Sequence, residues 1–438
     1  VRRKFKNSSE KQKAWFGWCM YDWANSSFAT VIMAAVFPVY FAAIVPTGGA
    51  TLSFFGFSRT IPAAALWGYV VSASMLAVAV SAPYLGALAD HRGGRRRLLL
   101  LFTGVGAAAT AALSLAGAGD FLLAGALFML ANFCFASGNV FYNAFLPALA
   151  TGGEMDRLSA RGYACGYLGG GLLLALVFIL IQWSGTFGFA DAGSATRVGL
   201  LLTGLWWGLF SLPTFAYVRE EVLPRPPEPL MTGLRGYLRT FAEIRGHRDL
   251  LIFLFAFLLY NDGIQTIITV SAIFATSELA LSQGSILGCF LMIQFVAMPG
   301  ALLFGRLAAK SGAKRAVMLS LLLFTAVSVC AFFIRQEWQF WILSFVVALI
   351  LGGSQSISRS LFAALIPSGK TAKFFGFFAI SNKFSSILGP FVFALITDIS
   401  RSARLSILAI SGFFVTGMAL LALVDVERGK RLVRTESR

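Results

Sequence analysis

Apolar stretches of about 20 residues recur along this chain, parted by short polar loops. A run of that length is what a helix needs to cross about 30 Å of hydrocarbon. Twelve stretches qualify, at 15–44, 64–89, 98–118, 121–147, 161–183, 197–218, 249–276, 283–308, 315–334, 338–364, 374–397 and 403–424. Each predicts one membrane span. The pattern therefore predicts an all-α membrane protein of twelve transmembrane helices.

Polar residues inside these spans are unevenly spread. Span one carries Asp22 and Asn25; span four carries Asn132, Asn139, Tyr142 and Asn143. Span seven carries Asn261, Asp262 and Gln265, and span ten carries Gln355 and Arg359. Spans three, six, nine and twelve hold no amide or charge in their apolar interiors. Polarity thus peaks at every third span, as expected if four helices line a central path. Outside that set, Asn382 and Lys383 fall in span eleven and Gln294 in span eight. A carboxylate near the bilayer centre costs about 2.5–3.5 kcal/mol on insertion scales, so it usually faces a cavity and a partner. Asp262, Gln265, Thr266 and Thr269 share one helical face. A blander reading competes: membrane amides often bond a neighbouring helix, at about 0.6 kcal/mol. Asp22 and Asp262 are matched in number by Arg359 and Lys383, so the charges can also pair internally.

The two halves resemble one another. Tyr21-Asp22-Trp23 in span one matches the Asn261-Asp262 region of span seven, which puts Asn25 opposite Gln265. The loop Gly86 to Arg97, GALADHRGGRRR, registers without a gap on Gly305 to Arg315, GRLAAKSGAKR. Pro147 aligns with Pro367, which brings Asn139 against Arg359. The proline-rich VLPRPPEPL opens a polar link at 219–248, and Leu230 to His247 reads as a basic amphipathic helix on the membrane surface. The expected organisation is a six-helix bundle over 1–218, the cytoplasmic linker 219–248, and a second bundle over 249–438. Internal repeats with a site at their interface are typical of secondary transporters.

Composition sharpens the class. Of 438 residues, 58% are hydrophobic and only 13% charged; a soluble domain carries about 25%. The formal net charge is +17, but the cations sit in short inter-helix loops. Anionic lipid explains them better than nucleic acid does. Alternating the spans from an inner N-terminus puts most of the 36 lysines and arginines on one side, so both termini are expected in the cytoplasm. The basic segment 1–13 precedes an apolar run too long for a signal peptide, so an uncleaved first span is favoured. The five cysteines, Cys19, Cys134, Cys165, Cys289 and Cys330, lie in apolar runs without CxxC spacing and read as core residues. The only histidines, His91 and His247, fall in loops, which excludes a histidine-rich metal site. No phosphate loop, HExxH or GxSxG occurs, so neither an enzyme nor a cofactor is expected.

The loop GALADHRGGRRR resembles the loop motif of the major facilitator superfamily: a glycine, an aspartate, then a glycine with clustered arginines. The resemblance implies that Gly86, Asp90, Arg95 and Arg96 act in gating, tying helix ends on the cytoplasmic side. His91 and Gly94 depart from the usual pattern, and Ala309 replaces the acid in the second copy, so the latch should be one-sided. YDWANSSF at Tyr21, FYNAFLP at Phe141, YNDG at Tyr260, GGSQSISRS at Gly352 and FFGFF at Phe374 together resemble the bacterial "unknown major facilitator" family. That family is similar to the fungal vacuolar amino-acid effluxer linked to autophagy. It implies two pseudo-symmetric six-helix bundles around a cavity.

The functional expectation is a secondary transporter of a small polar or zwitterionic solute, an amino acid or short peptide favoured, working by alternating access. Its substrate-binding residues are expected among Asp22, Asn25, Asn132, Asn139, Tyr142, Asn143, Asn261, Asp262, Gln265, Gln355, Arg359, Asn382 and Lys383. Arg359 or Lys383 would hold a carboxylate, and Asp22 or Asp262 an amine or a coupling proton. The expected partners are a small-molecule solute and the lipid bilayer, with protons as candidate coupling ion; nucleic acid is not expected. A monomer in the bacterial cytoplasmic membrane is expected. The alternatives are a lipid or amphiphile exporter, suggested by the 43 phenylalanines, and a non-transporting receptor or assembly factor on the same scaffold.

Overall fold

The computed structural model describes residues 8–54, 57–91, 94–143, 145–150, 153–220, 242–366, 378, 381 and 385–428. Asn382, Lys383 and most of the linker 219–248 lie outside the described residues, as do the side chains of Asp90 and Arg359 and the surroundings of Gly86. The expected surface helix over 230–247 falls largely there too.

Among the described residues, nine helices are long and apolar enough to cross a membrane, or ten if one bent pair counts as a span. Shorter apolar helices occupy the two remaining predicted places, Gln283–Ala297 and Leu388–Ser400. This is the helical membrane fold that the apolar periodicity predicts, and it is consistent with twelve spans. Large apolar side chains such as Leu172, Phe295, Phe333 and Ile399 are exposed. A soluble protein rarely tolerates so much exposed apolar surface, whereas lipid tails solvate it. Several hydroxyls within the spans are satisfied by their own helix. Thr110, Thr203 and Ser211 each donate to the carbonyl four residues back, at 2.7–2.8 Å. In hydrocarbon nothing else would accept that proton.

Span one is not a uniform helix. Helix α1 (Ser8–Ser27) runs into a π-helix, Phe28–Ala35, and then into α2 (Phe37–Ile44), with a 45° bend. Pro38 sits in the first turn of α2, where its missing N–H costs nothing. An unpredicted antiparallel hairpin follows: β1 (Ala50–Phe54) pairs with β2 (Phe57–Ile61), Ala50 opposite Ile61. Its five-residue strands were too short to register beside the membrane spans. Then come α3 (Ala63–His91), α4 (Arg95–Ala112), α5 (Phe121–Asn143), α6 (Leu146–Leu149), α7 (Gly153–Gln182), α8 (Ala192–Phe210) and α9 (Leu212–Tyr217). The later helices are α10 (Arg248–Leu279), α11 (Gln283–Ser311), α12 (Ala313–Phe333), α13 (Glu337–Leu365), α14 (Leu388–Ser400) and α15 (Ala403–Ala422). Side chains cap several of them; Asp191 accepts from the Ser194 N–H at the start of α8 at 2.6 Å.

By packing, the chain divides into two units: Val1–Thr47 with Val80–Leu234, and Gly48–Ala79 with Arg235–Arg438. The core of the first holds Trp18, Tyr21, Phe141, Tyr142, Leu158 and Phe215. The second unit includes the hairpin and the first part of α3. Three contacts tie that segment in. The Trp67 indole N–H donates to Thr269 O at 2.8 Å, and Ser72 Oγ to Ile387 O at 2.9 Å. Gly68 lies so close to α14 that a Cβ there would come within 2.8 Å of Pro390 O.

Candidate functional site

Within the first unit, α1 presents Trp18, Tyr21, Asp22, Asn25 and Ser26 at i, i+3, i+4, i+7 and i+8, one helical stripe. Trp18 and Tyr21 both stack on Tyr142 of α5, with ring centroids 4.5 and 4.6 Å apart. The Trp18 indole N–H donates to Tyr142 O at 3.3 Å, and Thr103 Oγ1 lies 3.4 Å from the Tyr21 hydroxyl. These contacts hold the Tyr142 ring so that its hydroxyl donates to Asp22 Oδ2 at 2.7 Å. Asn25 Nδ2 donates to Asn139 Oδ1 at 2.8 Å one turn further on. Asp22 itself is half-buried, and no described cation pairs with it. Across from it stands Gly162 of α7. A Cβ at that position would meet Asp22 Oδ2 at 2.4 Å and the Trp18 ring at 2.7 Å. The bare backbone at 162 is what leaves the carboxylate its place.

The structure therefore brings Asp22, Asn25, Asn139 and Tyr142 together in the first unit. Asn132 is fully buried in α5, and Asn143 is exposed at the end of that helix. Asn132, Asn139 and Asn143 fall at i, i+7 and i+11, on one helical face, yet do not share one environment.

In the second unit the corresponding carboxylate has a different fate. Asp262 is buried, and its Oδ1 accepts the Gly389 N–H at 2.9 Å, in the first turn of α14. The helix beginning there leaves its first N–H groups without intrahelical partners, and Asp262 takes one. Asn261 Nδ2 donates to Ser385 Oγ just ahead of that start, and Thr266 Oγ1 lies where a Cβ on Gly389 would stand. The polar stretch of span seven is thus a socket for the start of α14. Gly389-Pro390 stands in the first turn of the described helix beginning at Leu388. Tyr260 donates to Ser358 Oγ at 2.7 Å, which ties α10 to α13. Gln265 is half-buried and Gln355 exposed. Asn382, Lys383 and the Arg359 side chain are outside the described residues, so the expected cationic side of the site is too.

Of the gating set, Gly86 and Asp90 lie in α3, where their surroundings are not described, while Arg95 and Arg96 open α4. The N–H groups of Gly94, Arg95 and Arg96 all donate to the Glu220 carboxylate, at 2.9, 3.0 and 3.2 Å. The Arg96 guanidinium donates to Phe215 O. Glu220 thus caps α4 and ties it to the segment after α9. In the second copy of the loop, Lys314 Nζ donates to Ala422 O and Val424 O at 2.8 and 2.7 Å. Each described tie joins the basic loop to the last span of its own half. Sequence reasoning named neither Glu220 nor Lys314. A signal existed for Glu220: with Glu221 it forms an acidic pair directly after a span, on the side that carries the arginine-rich loop.

Residues 10–434 match the family described as vacuole effluxer Atg22 like. An uncharacterized MFS-type transporter of Bacillus subtilis, YxiO, is 31% identical over 413 residues, 94% of this chain and 94% of that protein. Autophagy-related protein 22-1 of Penicillium rubens is 26% identical over 546 residues, covering 95% of this chain and 90% of that protein. Among solved structures, a bacterial homolog of the human lysosomal transporter Spinster aligns with a TM-score of 0.68 at 15% identity, covering 98% of this chain and 99% of that one. A D-xylose-proton symporter aligns at 0.65 and 13%, covering 96% and 98%. Identities that low show the fold alone. With a family match over nearly its whole length and apolar helices throughout, the chain belongs to the Atg22-like effluxer family and is a major facilitator transporter spanning the membrane many times.

Proposed function

We propose that this transporter moves a small zwitterionic solute, an amino acid or short peptide, by alternating access, and that Asp22 receives the solute's ammonium group or a coupling proton. The observation that carries this reading is the Asp22–Tyr142 pair. A half-buried carboxylate held by one tyrosine hydroxyl and by no described cation has acceptor capacity left for an incoming donor. Arg359 and Lys383 are the proposed partners for the solute's carboxylate. The family description, a vacuole effluxer, supports efflux as the direction. The proposed setting is the bacterial cytoplasmic membrane, a monomer with both termini in the cytoplasm, and two six-span halves at 1–218 and 249–438 joined by 219–248. The distribution of lysine and arginine supports that orientation.

The test is a thermal-shift screen of the purified protein against amino acids, short peptides and sugars, followed by uptake of each hit into vesicles. Asp22→Asn should remove the stabilisation and cut uptake about 10–100-fold. Zwitterions that stabilise Asp22→Asn as well as wild type would overturn the reading.

A further inference from the structure

Asp398, in the last turn of α14, is a buried charge the transport reading does not use. Its side chain is 1% exposed. One oxygen, Oδ2, pairs with Arg59 Nη2 at 2.8 Å and accepts the Tyr69 hydroxyl at 3.3 Å. The other, Oδ1, is buried and accepts no hydrogen bond from a described residue. The cation is unlike the acid it serves: Arg59 sits on β2 with its side chain 62% exposed. All of these residues belong to the second unit.

The two ends of this ion pair are held by very different forces. An exposed guanidinium leaves for water at little cost. A buried carboxylate stripped of its cation is costly. The hairpin carrying Arg59 has only two strands, and such a ribbon is marginally stable without support. The acid therefore demands a cation, yet does not demand this one. Arg59 also leaves the site half-filled, because a donor on Oδ1 is missing. A free guanidinium or primary ammonium offers several donors from one small group and can reach both oxygens.

We propose that Asp398 and Tyr69 form a second cation site, at the hairpin end of α14, in which Arg59 is a tethered and exchangeable occupant. A guanidinium or primary ammonium group displaces it, and the hairpin comes free. This rests on the transport reading only in naming the cargo's ammonium as the natural occupant, and its test needs no transport.

In Arg59→Ala the site is vacated. Methylguanidinium at tens of millimolar should then raise the thermal midpoint of the purified protein by about 2 °C. N-methylurea, its neutral analogue in shape, should not, and neither compound should stabilise Arg59→Ala/Asp398→Asn. Equal responses to the two compounds, or a methylguanidinium response that survives Asp398→Asn, overturn the proposal. Should Arg59→Ala not fold, the wild-type protein serves: methylguanidinium, and not N-methylurea, should speed hydrogen exchange of the amides in β1 and β2. Unchanged exchange overturns it equally. Loss of the Asp22 result would leave these outcomes standing, and the reverse holds too.

Discussion

Asp22 and Asp262 fall at matching places in the internal repeat, yet their oxygens meet different groups. Asp22 faces a tyrosine hydroxyl and a glycine; Asp262 faces the backbone N–H at the start of α14. A conservative amide separates the two roles. Asn keeps an acceptor oxygen but loses the charge. Asp262→Asn should therefore keep the bond to Gly389 and retain transport, whereas Asp262→Ala should lower the thermal midpoint by an amount consistent with about 1 kcal/mol of lost capping. Asp22→Asn should cost transport about 10–100-fold, the worth of one hydrogen bond to a charge, with the midpoint nearly unchanged. Uptake and thermal melts on the same preparations decide both. Equal effects of the two Asp→Asn changes would remove the distinction. Composition and repeat alignment flag both acids alike, because a carboxylate in an apolar run looks the same whatever it touches.

At two places the helices meet through small residues and caps. The seam between α1 and α7 is lined by Gly162, Gly166, Gly169 and Gly170, each with a close neighbour on span one. On the same helix Gly171 faces open space. Gly162→Ala should impair transport by displacing the Asp22 carboxylate, while Gly171→Ala should be neutral or slightly stabilising, by up to about 1 kcal/mol of helix propensity. Uptake rates for the pair, at equal amounts of folded protein, check this. At the basic-loop end, Glu220 holds three N–H groups of α4. Glu220→Ala should lower the midpoint, and Glu220→Gln, which still accepts, should recover part of the loss. Periodicity located these helices but not their irregularities. The π segment of span one and the start of α14 at Leu388 both lie inside apolar runs, where hydropathy is blind to the number of residues per turn.

Across the chain, the alternation of loop charge makes a prediction about sidedness. In a cysteine-free background, a thiol placed at Ala118 should react with a membrane-impermeant reagent in intact cells, and one placed at Gly312 only after lysis. The opposite pattern would invert the proposed orientation. The family was legible from short polar motifs set in apolar runs, and the matching family model covers the same length. The grouping of the hairpin and residues 63–79 with the C-terminal spans was not legible. Order along the chain favours pairing a segment with its own half, and the bonds from Trp67, Ser72 and Arg59 reach residues about 200 to 340 positions away.

Hydrophobic run lengths alone settle that this protein crosses the membrane repeatedly, because no other solvent would accept them. The repeat of polar stretches in spans one and seven likewise follows from residue order, and so does the list of costly buried groups. What each group does waits on its neighbours. One acid is left open by the absence of a Cβ at Gly162; another is taken up by an N–H at a helix start; a third, Asp398, is matched with an arginine from a hairpin no pattern announced. Hydrogen bonds and ion pairs act over about 3 Å, and only the folded chain brings residues hundreds of positions apart within that reach.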